Sequence, residues 1–511
     1  MRVLLLCDGG GTLGVGHVLR SLALAEAAVA AGHDVVVAGH FEGAFLKGQL
    51  AAAPVEVVQL AEPFIDLAGR LRPDVLHVDS YEAPQGLRDL GAVVLSSMED
   101  GTFGRRQADV VVDPTFRAEL SPRPEDGSGF LLRGSRYTPI RRRVLDARRP
   151  AEVAGTIDSV ARSVLVVMGG TDPVGLAPAA VELLARTGLA LDVTVIAVGE
   201  NAEQVRAAAR GTALSLKVRA PVDDLAALMS GQDLVISAAG TTVWELCCLG
   251  VPMAVVWAVD NQRLGYDRVV EAGAALGLGG PELGEPEARG RERVVDLLRT
   301  TLTDSRVRAD LALAGRQIVD GLGTWRVVRM WEQAQRLGLS AGSATSNHES
   351  STRLTARRAG MDDARLLFEW RNDPDTRASS RHADPVPWPQ HLAWLESGLA
   401  REDRMLLVVE DLGGPVGTVR WDLGSRGEWE VSITVAPERR RQSLARPLLR
   451  AAEVALREML ASRGTDVTAY LAVVHVDNEA SVRLFETSAY VPDLPPDPGG
   501  FMRFRKPAPV A

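Results

Sequence analysis

Nine short apolar runs set the terms for the first 335 residues: VLLLC, DVVVAG, DVLHVD, AVVLSS and DVVVDP, then SVLVVMG, DVTVIAVG, DLVISA and MAVVWA. Each is long enough for one strand, and the runs alternate with amphipathic helical stretches. Strands apolar on both faces and separated by helices predict parallel sheets of the doubly wound type. The rhythm breaks at the charged segment RRRVLDARRPAEVAG before SVLVVMGG restarts it. Two Rossmann-like domains are therefore expected, 1–155 and 156–335. Ligands of such folds bind in the crevice outside the carboxyl ends of the strands.

The segment 336–353, RLGLSAGSATSNHESSTR, is poor in apolar side chains and rich in Ser, Gly and Thr, and reads as a flexible linker. Beyond it, residues 354–507 have another rhythm. A first strand at Leu354–Arg357 precedes helices near Asp362–Trp370 and Pro389–Leu399. The strands MLLVVE, PVGTVRW and WEVSITV follow, then a helix from Leu444, the strand TAYLAVV and a helix from Glu479. This order predicts an α+β domain with a mostly antiparallel sheet. At 511 residues with a net charge of -9, the chain is too long for one core and too acidic for a general nucleic-acid or anionic-membrane binder. Cys7, Cys247 and Cys248 make neither a disulfide scaffold nor a zinc framework, which fits a reducing cytoplasm. MRVLLLCD reads as a first strand and not a signal peptide, and no apolar stretch is long enough to span a bilayer. Oligomeric state is left open by these residues.

The turns behind the strands hold the reactive residues. DGGGTLGVGHVLR, residues 8–20, puts Gly14, Gly16 and His17 where a helix begins. Glycines there let the backbone approach a ligand, and the helix start presents free N–H groups to an anion. VLVVMGGTDP carries Gly169, Gly170 and Thr171 in a similar place. DLVISAAGTTVWELCCLG sets Gly240, Thr241 and Thr242 between strand and helix, with Glu245 in the first turns. Such a loop can hold a diphosphate, and a nearby carboxylate can grip ribose hydroxyls. Asn261 and Gln262 follow the next strand at the rim of the same crevice. Purely structural roles also suit two of these residues: Glu245 favours a helix N-terminus and Asn261 can cap one.

GVGHVLRSLALA, HVDSY, GSRYTPIRRRV, VMGGTDP, SAAGTTVWEL and DNQ span the whole first part of the chain. In order and spacing they resemble the hydrolases that remove UDP from UDP-2,4-diacetamido-2,4,6-trideoxy-β-L-altropyranose on the route to pseudaminic acid, a family related to GT-B glycosyltransferases. The resemblance implies a pair of GT-B-type domains with His17 as the catalytic histidine of a G-x-G-H segment. It also places Glu245 on the uridine ribose, the glycines and threonines near the phosphates, and Tyr81, Asn261 and Gln262 near the sugar. Gly9-Gly10-Gly11 departs from the family, where Ser or Ala more often follows the Asp. UDP leaves readily once backbone dipoles neutralise its charge, so this chemistry needs no metal cluster. A neutral imidazole at His17 would deprotonate the attacking water, with Asp8 expected to orient the ring. His77 is a second candidate.

EVSITVAPERRRQSLARPLLRAAEVAL resembles the acetyl-CoA motif of the GNAT superfamily. The family pattern R/Q-x-x-G-x-G/A falls on Arg440, Arg441, Gln442, Ser443, Leu444 and Ala445, after a strand ending at Val435, with Ser443 in place of the usual glycine. HVDNEASVRLFETSAYVP resembles the segment behind the splayed fifth strand, which implies that Asn478 and Ser481 contact the cofactor arm. Phe485 stands where many members carry a Tyr acid. WRNDPDTR and WPQHLAWL resemble the substrate-side helices of amino-sugar N-acetyltransferases, making His391 either an acid–base group or an exposed helix residue. Glu428 or Glu430 is an alternative activator of the amine. The joint expectation is a bifunctional enzyme that acetylates a UDP-linked 4-amino-6-deoxy sugar with acetyl-CoA and hydrolyses the UDP-sugar. The alternative is a GT-B glycosyltransferase fused to an N-acyltransferase acting on a glycosylated metabolite or envelope glycan.

Overall fold

A computed structural model describes the chain except for residues 11–13, 83, 91–92, 149–159, 170–171, 173, 285–289, 340–353, 379–383 and 509–511, and for Asn261 and Gly284 it gives the backbone alone. The expected linker falls largely in the undescribed stretch. The chain divides into two units, 1–342 and 343–511.

The first unit contains two parallel sheets. The first is built from β1 (Arg2–Cys7), β2 (Asp34–Gly39), β3 (Glu56–Gln59), β4 (Val75–Asp79), β5 (Val94–Met98), β6 (Val110–Asp113) and β7 (Phe130–Arg133), in the order β3-β2-β1-β4-β5-β6-β7. The second comprises β8 (Ser163–Val167), β9 (Asp192–Ile196), β10 (Ser215–Arg219), β11 (Leu234–Ala238), β12 (Met253–Val256) and β13 (Leu276–Gly279), in the order β10-β9-β8-β11-β12-β13. All nine apolar runs are strands. Four strands were not anticipated: β3, β7, β10 and β13, the edges of the two sheets. Edge strands are covered incompletely, so EVVQ and SLKVR alternate or lack apolar residues where central strands are continuously apolar. In each sheet the strand order reverses beside the first strand, at β1/β4 and at β8/β11, which opens the binding crevice there.

The helix Gly323–Arg336 corrects the sequence-based boundary at 335. It follows the second sheet in the chain but packs on the first. Trp331 is fully buried, lies 5.3 Å from the His77 ring, and donates from Nε1 to Ser96 Oγ at 2.8 Å. Glu332 pairs with His33 at 3.0 Å. The two passages of chain between the domains touch: Ser135 Oγ donates to Ile318 O at 2.8 Å, and a Cβ at Gly323 would lie 2.1 Å from Thr138 O. Ile140 and Val144 meanwhile join the core of the second domain.

The second unit has one mixed sheet: β14 (Thr355–Arg358), β15 (Arg404–Asp411), β16 (Gly414–Leu423), β17 (Glu428–Val435), β18 (Ala469–His475), β19 (Val491–Leu494) and β20 (Phe501–Pro507), in the order β14-β15-β16-β17-β18-β20-β19. Every pairing is antiparallel except β17 with β18. That parallel ladder ends at Val431–Ala472, although β17 runs on to Val435 and β18 to His475. The two strands therefore part at their carboxyl ends and leave a wedge in the sheet. Trp421, Trp429, Leu448, Leu456 and Phe504 fill the core beneath it.

Candidate active sites

In the first unit the site is assembled where β1 gives way to the helix Gly16–Ala30. Gly10 adopts φ +108, and a Cβ there would lie 2.5 Å from Glu42 O; Gly14 adopts φ +72. Gly16 brings the helix start against the second domain: its Cβ would lie 3.4 Å from Thr241 Cγ2. His17, Arg20 and Ser21 share one helix face by their i, i+3, i+4 spacing, and that face meets the carboxyl end of β4.

There, Asp79 gathers the cluster. Its Oδ1 lies 2.7 Å from His17 Nδ1 and accepts Arg20 Nη2 at 2.6 Å; its Oδ2 accepts Arg20 Nε at 2.6 Å and Ser21 Oγ at 3.4 Å. Burial alone would push the Asp79 carboxyl up, but the Arg20 charge and the bonds from Arg20 and His17 hold it well below the usual carboxylate range. Asp79 is thus an ionised acceptor with no proton to give. Its short contact with Nδ1 requires a proton on that nitrogen, so in the neutral ring the Nε2 lone pair is free to act as a base. The other side of Arg20 grips Asp100 at 2.6 and 3.0 Å, and Asp100 Oδ2 accepts the Tyr81 hydroxyl at 2.9 Å. The Tyr81 ring closes the circle edge-on to His17 at 4.6 Å, with 45% of the residue exposed.

This arrangement corrects one expectation. Asp8 does not orient His17; its Oδ1 accepts the backbone N–H of His40 at 2.8 Å and lies 3.1 Å from His40 Nδ1. Cys7 is level with Asp79 in the β1/β4 ladder, so β4 supplies the carboxylate while Asp8, one residue further, turns toward β2. The second histidine candidate, His77, is fully buried against Ser96 Oγ at 2.9 Å, and burial pushes its imidazole down to about 4. Arg20, Asp79 and Asp100 were not singled out from the sequence. The signals were the three-residue step from His17 to Arg20 and an Asp closing a buried strand.

Across the crevice, Gly169 adopts φ +78 behind β8; Gly170 and Thr171 lie outside the described residues. Asp172 caps the next helix through Leu176 N and Ala177 N, both at 2.9 Å. Gly240, Thr241 and Thr242 lead into the helix Thr242–Leu249, whose start no side chain caps, although Val243 N–H and Trp244 N–H already donate to Gly240 O and Thr241 O at 3.2 and 3.1 Å. Gln262 accepts Ala258 N–H at 2.9 Å, and its amide nitrogen would stand 3.6 Å from a Cβ at Gly240. Asn261 lies in the first turn of the helix Asp260–Glu271. Glu245, expected on a ribose, receives Arg141 Nε at 3.0 Å and Nη2 at 2.7 Å, both on Oε1. Arg141, which the sequence reading did not single out, thereby fastens the segment whose Ile140 and Val144 join the second domain's core to the helix that carries Glu245.

In the second unit, the loop after Val435 leads to the helix Ala445–Ala461, whose N-terminus again has no side-chain cap. Arg441 and Ser443 adopt φ +60 and +56. Ser443 thus keeps the left-handed backbone that a glycine would take without strain. Arg440 reaches Asp373 at 2.5 Å, Thr376 Oγ1 at 2.7 Å and Asp375 at 3.1 Å, while Arg439 pairs with Asp411. The basic run is therefore held by carboxylates. Gln442 is exposed, and Leu444 and Ala445 enter the helix. Asn478 caps the helix Glu479–Thr487 by accepting Ser481 N–H at 3.1 Å, and Phe485 is buried beside Tyr490 and Phe504. A CoA pyrophosphate fits the open helix start, and its arm fits the wedge between β17 and β18.

His391 is the second correction. It is neither exposed nor poised for proton transfer: only 2% accessible, it donates from Nε2 to Ala364 O at 3.0 Å among Phe368, Trp388 and Trp394. Burial lowers its pKa. Its helix turns this face onto the helix Ala364–Asn372, and apolar neighbours surround the ring.

Comparison with known proteins agrees with this division. Residues 164–283 match the glycosyltransferase family 28 C-terminal domain, and residues 353–490 match the acetyltransferase (GNAT) domain. The spore coat polysaccharide biosynthesis protein SpsG of Bacillus subtilis is 26% identical over 340 residues, 64% of this chain and 96% of that protein. The uncharacterized protein MJ1062 of Methanocaldococcus jannaschii is 20% identical over 427 residues, 80% of this chain and 81% of that one. The crystal structure of MurG from Acinetobacter baumannii has a TM-score of 0.49 at 19% identity, covering 65% of this chain and 99% of that chain. The chain thus joins two Rossmann-like domains, the second of which matches the glycosyltransferase family 28 C-terminal domain, to a domain that matches the GNAT acetyltransferase domain, and it is similar to SpsG.

Proposed function

We propose that the first unit hydrolyses a UDP-linked diacetamido-trideoxy sugar to free sugar and UDP. In this reading the second unit supplies one of the acetyl groups, transferring it from acetyl-CoA to the 4-amine of the UDP-linked sugar. Both steps belong to the making of a nonulosonic acid such as pseudaminic acid. The observation that carries the reading is His17, with Nδ1 fixed on an ionised Asp79 and its helix start facing the Gly240–Thr242 loop. Nε2 takes a proton from water, the water oxygen bonds to the anomeric carbon, and the bond from that carbon to the diphosphate oxygen breaks. In this reading the backbone N–H groups of Thr241, Thr242 and Gly169 offset the charge that develops on UDP. Glu245 Oε2, free of the Arg141 bonds, would take the ribose, and Tyr81 and Gln262 flank the place left for the sugar. A single displacement by water inverts the anomeric carbon.

In the second unit, acetyl-CoA would lie in the wedge, with its pyrophosphate at the loop Arg440–Ala445 and its arm near Val435 and Asn478. The amine would then attack the thioester carbonyl and release CoA. Similarity to SpsG, named for polysaccharide biosynthesis, supports a sugar substrate. The match of 164–283 to glycosyltransferase family 28 favours one second reading: transfer of the sugar to an acceptor in place of water. The test is to incubate the chain with UDP-2,4-diacetamido-2,4,6-trideoxy-β-L-altropyranose and no acceptor, beside His17→Ala. UDP release by wild type alone supports hydrolysis. UDP binding without release supports the transferase.

A further inference from the structure

We infer that Arg20 is a positioning residue: one guanidinium that fixes His17 through Asp79 and Tyr81 through Asp100. The inference rests on the reading of His17 as the base. Four of its five N–H donors are used as a two-sided fork. Nε and Nη2 span both oxygens of Asp79 at 2.6 Å, while Nη1 and Nη2 span those of Asp100 at 2.6 and 3.0 Å. Asp79 then receives His17 Nδ1, and Asp100 receives the Tyr81 hydroxyl. The two residues nearest the space for substrate therefore share one support, although they come from the first helix and from the loop behind β4.

A lysine cannot substitute for this geometry, because a point charge on a flexible stem cannot hold two carboxylates in fixed planes. Nor, among the described residues, does the cluster have another guanidinium or ammonium group in direct contact with Asp79. The other titratable groups acting on it are His77 from β4, Cys7 from β1 and Arg106, which bonds Ser97 Oγ and the backbone of Val78 and Ser80. Burial opposes the Arg20 charge, yet Asp79 and Asp100 together raise its pKa well above the ordinary value. Asp79 and Asp100 also face each other across that one guanidinium, so without it two carboxylates would repel in a partly buried site.

The test first reads the imidazole directly, without substrate, and then UDP release. The full chain is labelled with 15N-histidine, and His17 is assigned among the eight histidines with a His17→Asn variant. Side-chain nitrogen shifts of the neutral ring are then recorded for wild type, Arg20→Lys and Asp100→Asn. Wild type is expected to show a single Nδ1–H form. Arg20→Lys is expected to show mixed tautomers, with kcat for UDP release reduced at least tenfold and KM changed less than threefold. Asp100→Asn alters a partly exposed residue not bonded to His17; made in a Tyr81→Phe background, where the hydroxyl route to the ring beside His17 is absent, it is expected to move the His17 signals through Arg20. Should Arg20→Lys fail to fold, Asp100→Asn decides by itself. Unchanged His17 signals in the folded variants would overturn the inference. Tautomer changes in a chain that releases no UDP would leave the clamp standing and refute the hydrolase reading instead.

Discussion

Replacing Asp79 by Asn is the most informative single change, because the two ways of placing the amide fail for different reasons. With its NH2 toward His17, the amide demands an unprotonated Nδ1, so the ring carries its proton on Nε2 and the base is lost. With its oxygen toward His17, the NH2 confronts Arg20 Nε, a donor 2.6 Å from the present oxygen. The first placement removes general-base assistance, which is worth about 10²–10⁴ in rate, or roughly 3–5 kcal/mol of barrier. The same Asp-to-Asn change in a serine protease triad costs about 10⁴ by selecting the wrong tautomer. Asp79→Asn is therefore expected to lower kcat for UDP release by about 10²–10⁴ with KM little altered. Folding should weaken by about 2–3 kcal/mol, the low end for a broken buried pair, since Asp100 still holds Arg20. A coupled assay for UDP gives the rate and urea unfolding gives the stability. Turnover within threefold of wild type by a folded Asp79→Asn chain would refute the assignment of His17 Nε2 as base.

Other expectations concern pH, the crossing helix and the second unit. His77 titrates near 6.5 when unfolded but near 4 when folded, so between these values the unfolded chain binds the extra proton and stability falls as pH falls. At pH 5 the loss is about 2 kcal/mol, and urea midpoints should show that His77→Phe flattens this slope. Trp331→Ala removes the largest fully buried side chain of the crossing helix and the bond to Ser96, and should cost about 3–5 kcal/mol by the same measurement. Ser443→Gly relieves a residue at φ +56 and should leave CoA affinity within threefold by calorimetry, whereas Ser443→Val adds about 1–2 kcal/mol of strain to the loop and weakens binding. His391→Phe should retain acetyl transfer within threefold, because the ring acts as packing; a hundredfold loss in an acetylation assay would restore a role in proton transfer.

The sequence disclosed what depends on a strand's own neighbours and hid what depends on strands meeting. Arg2–Cys7 and Leu234–Ala238 are covered on both faces, so nearly every residue is apolar and their identity as central strands is unmistakable. Edge strands such as Ser215–Arg219 expose alternate residues and look like loops. His17 stood out because a histidine behind a glycine turn has little structural reason to be there. Its partner lies 62 residues away and was confused with Asp8, the nearest carboxylate in the chain. Only the β1/β4 register, which sets Cys7 level with Asp79, shows which acid faces the helix. His391 misled for a related reason: helical spacing marks which residues share a face, but which face is covered is decided by Phe368 and Trp388 from elsewhere in the fold.

The contact between Gly323 and Thr138 also governs how the crevice moves. The chain passes between the two domains twice, and at this contact both passages lie against each other with room for a hydrogen atom and nothing larger. Two connections set far apart would let the domains shear or twist. Two connections fused into one joint leave rotation about that joint as the soft motion, so the crevice works as a jaw. Under the proposed function, a nucleotide sugar touching both lips would convert its binding energy into closure about this pivot.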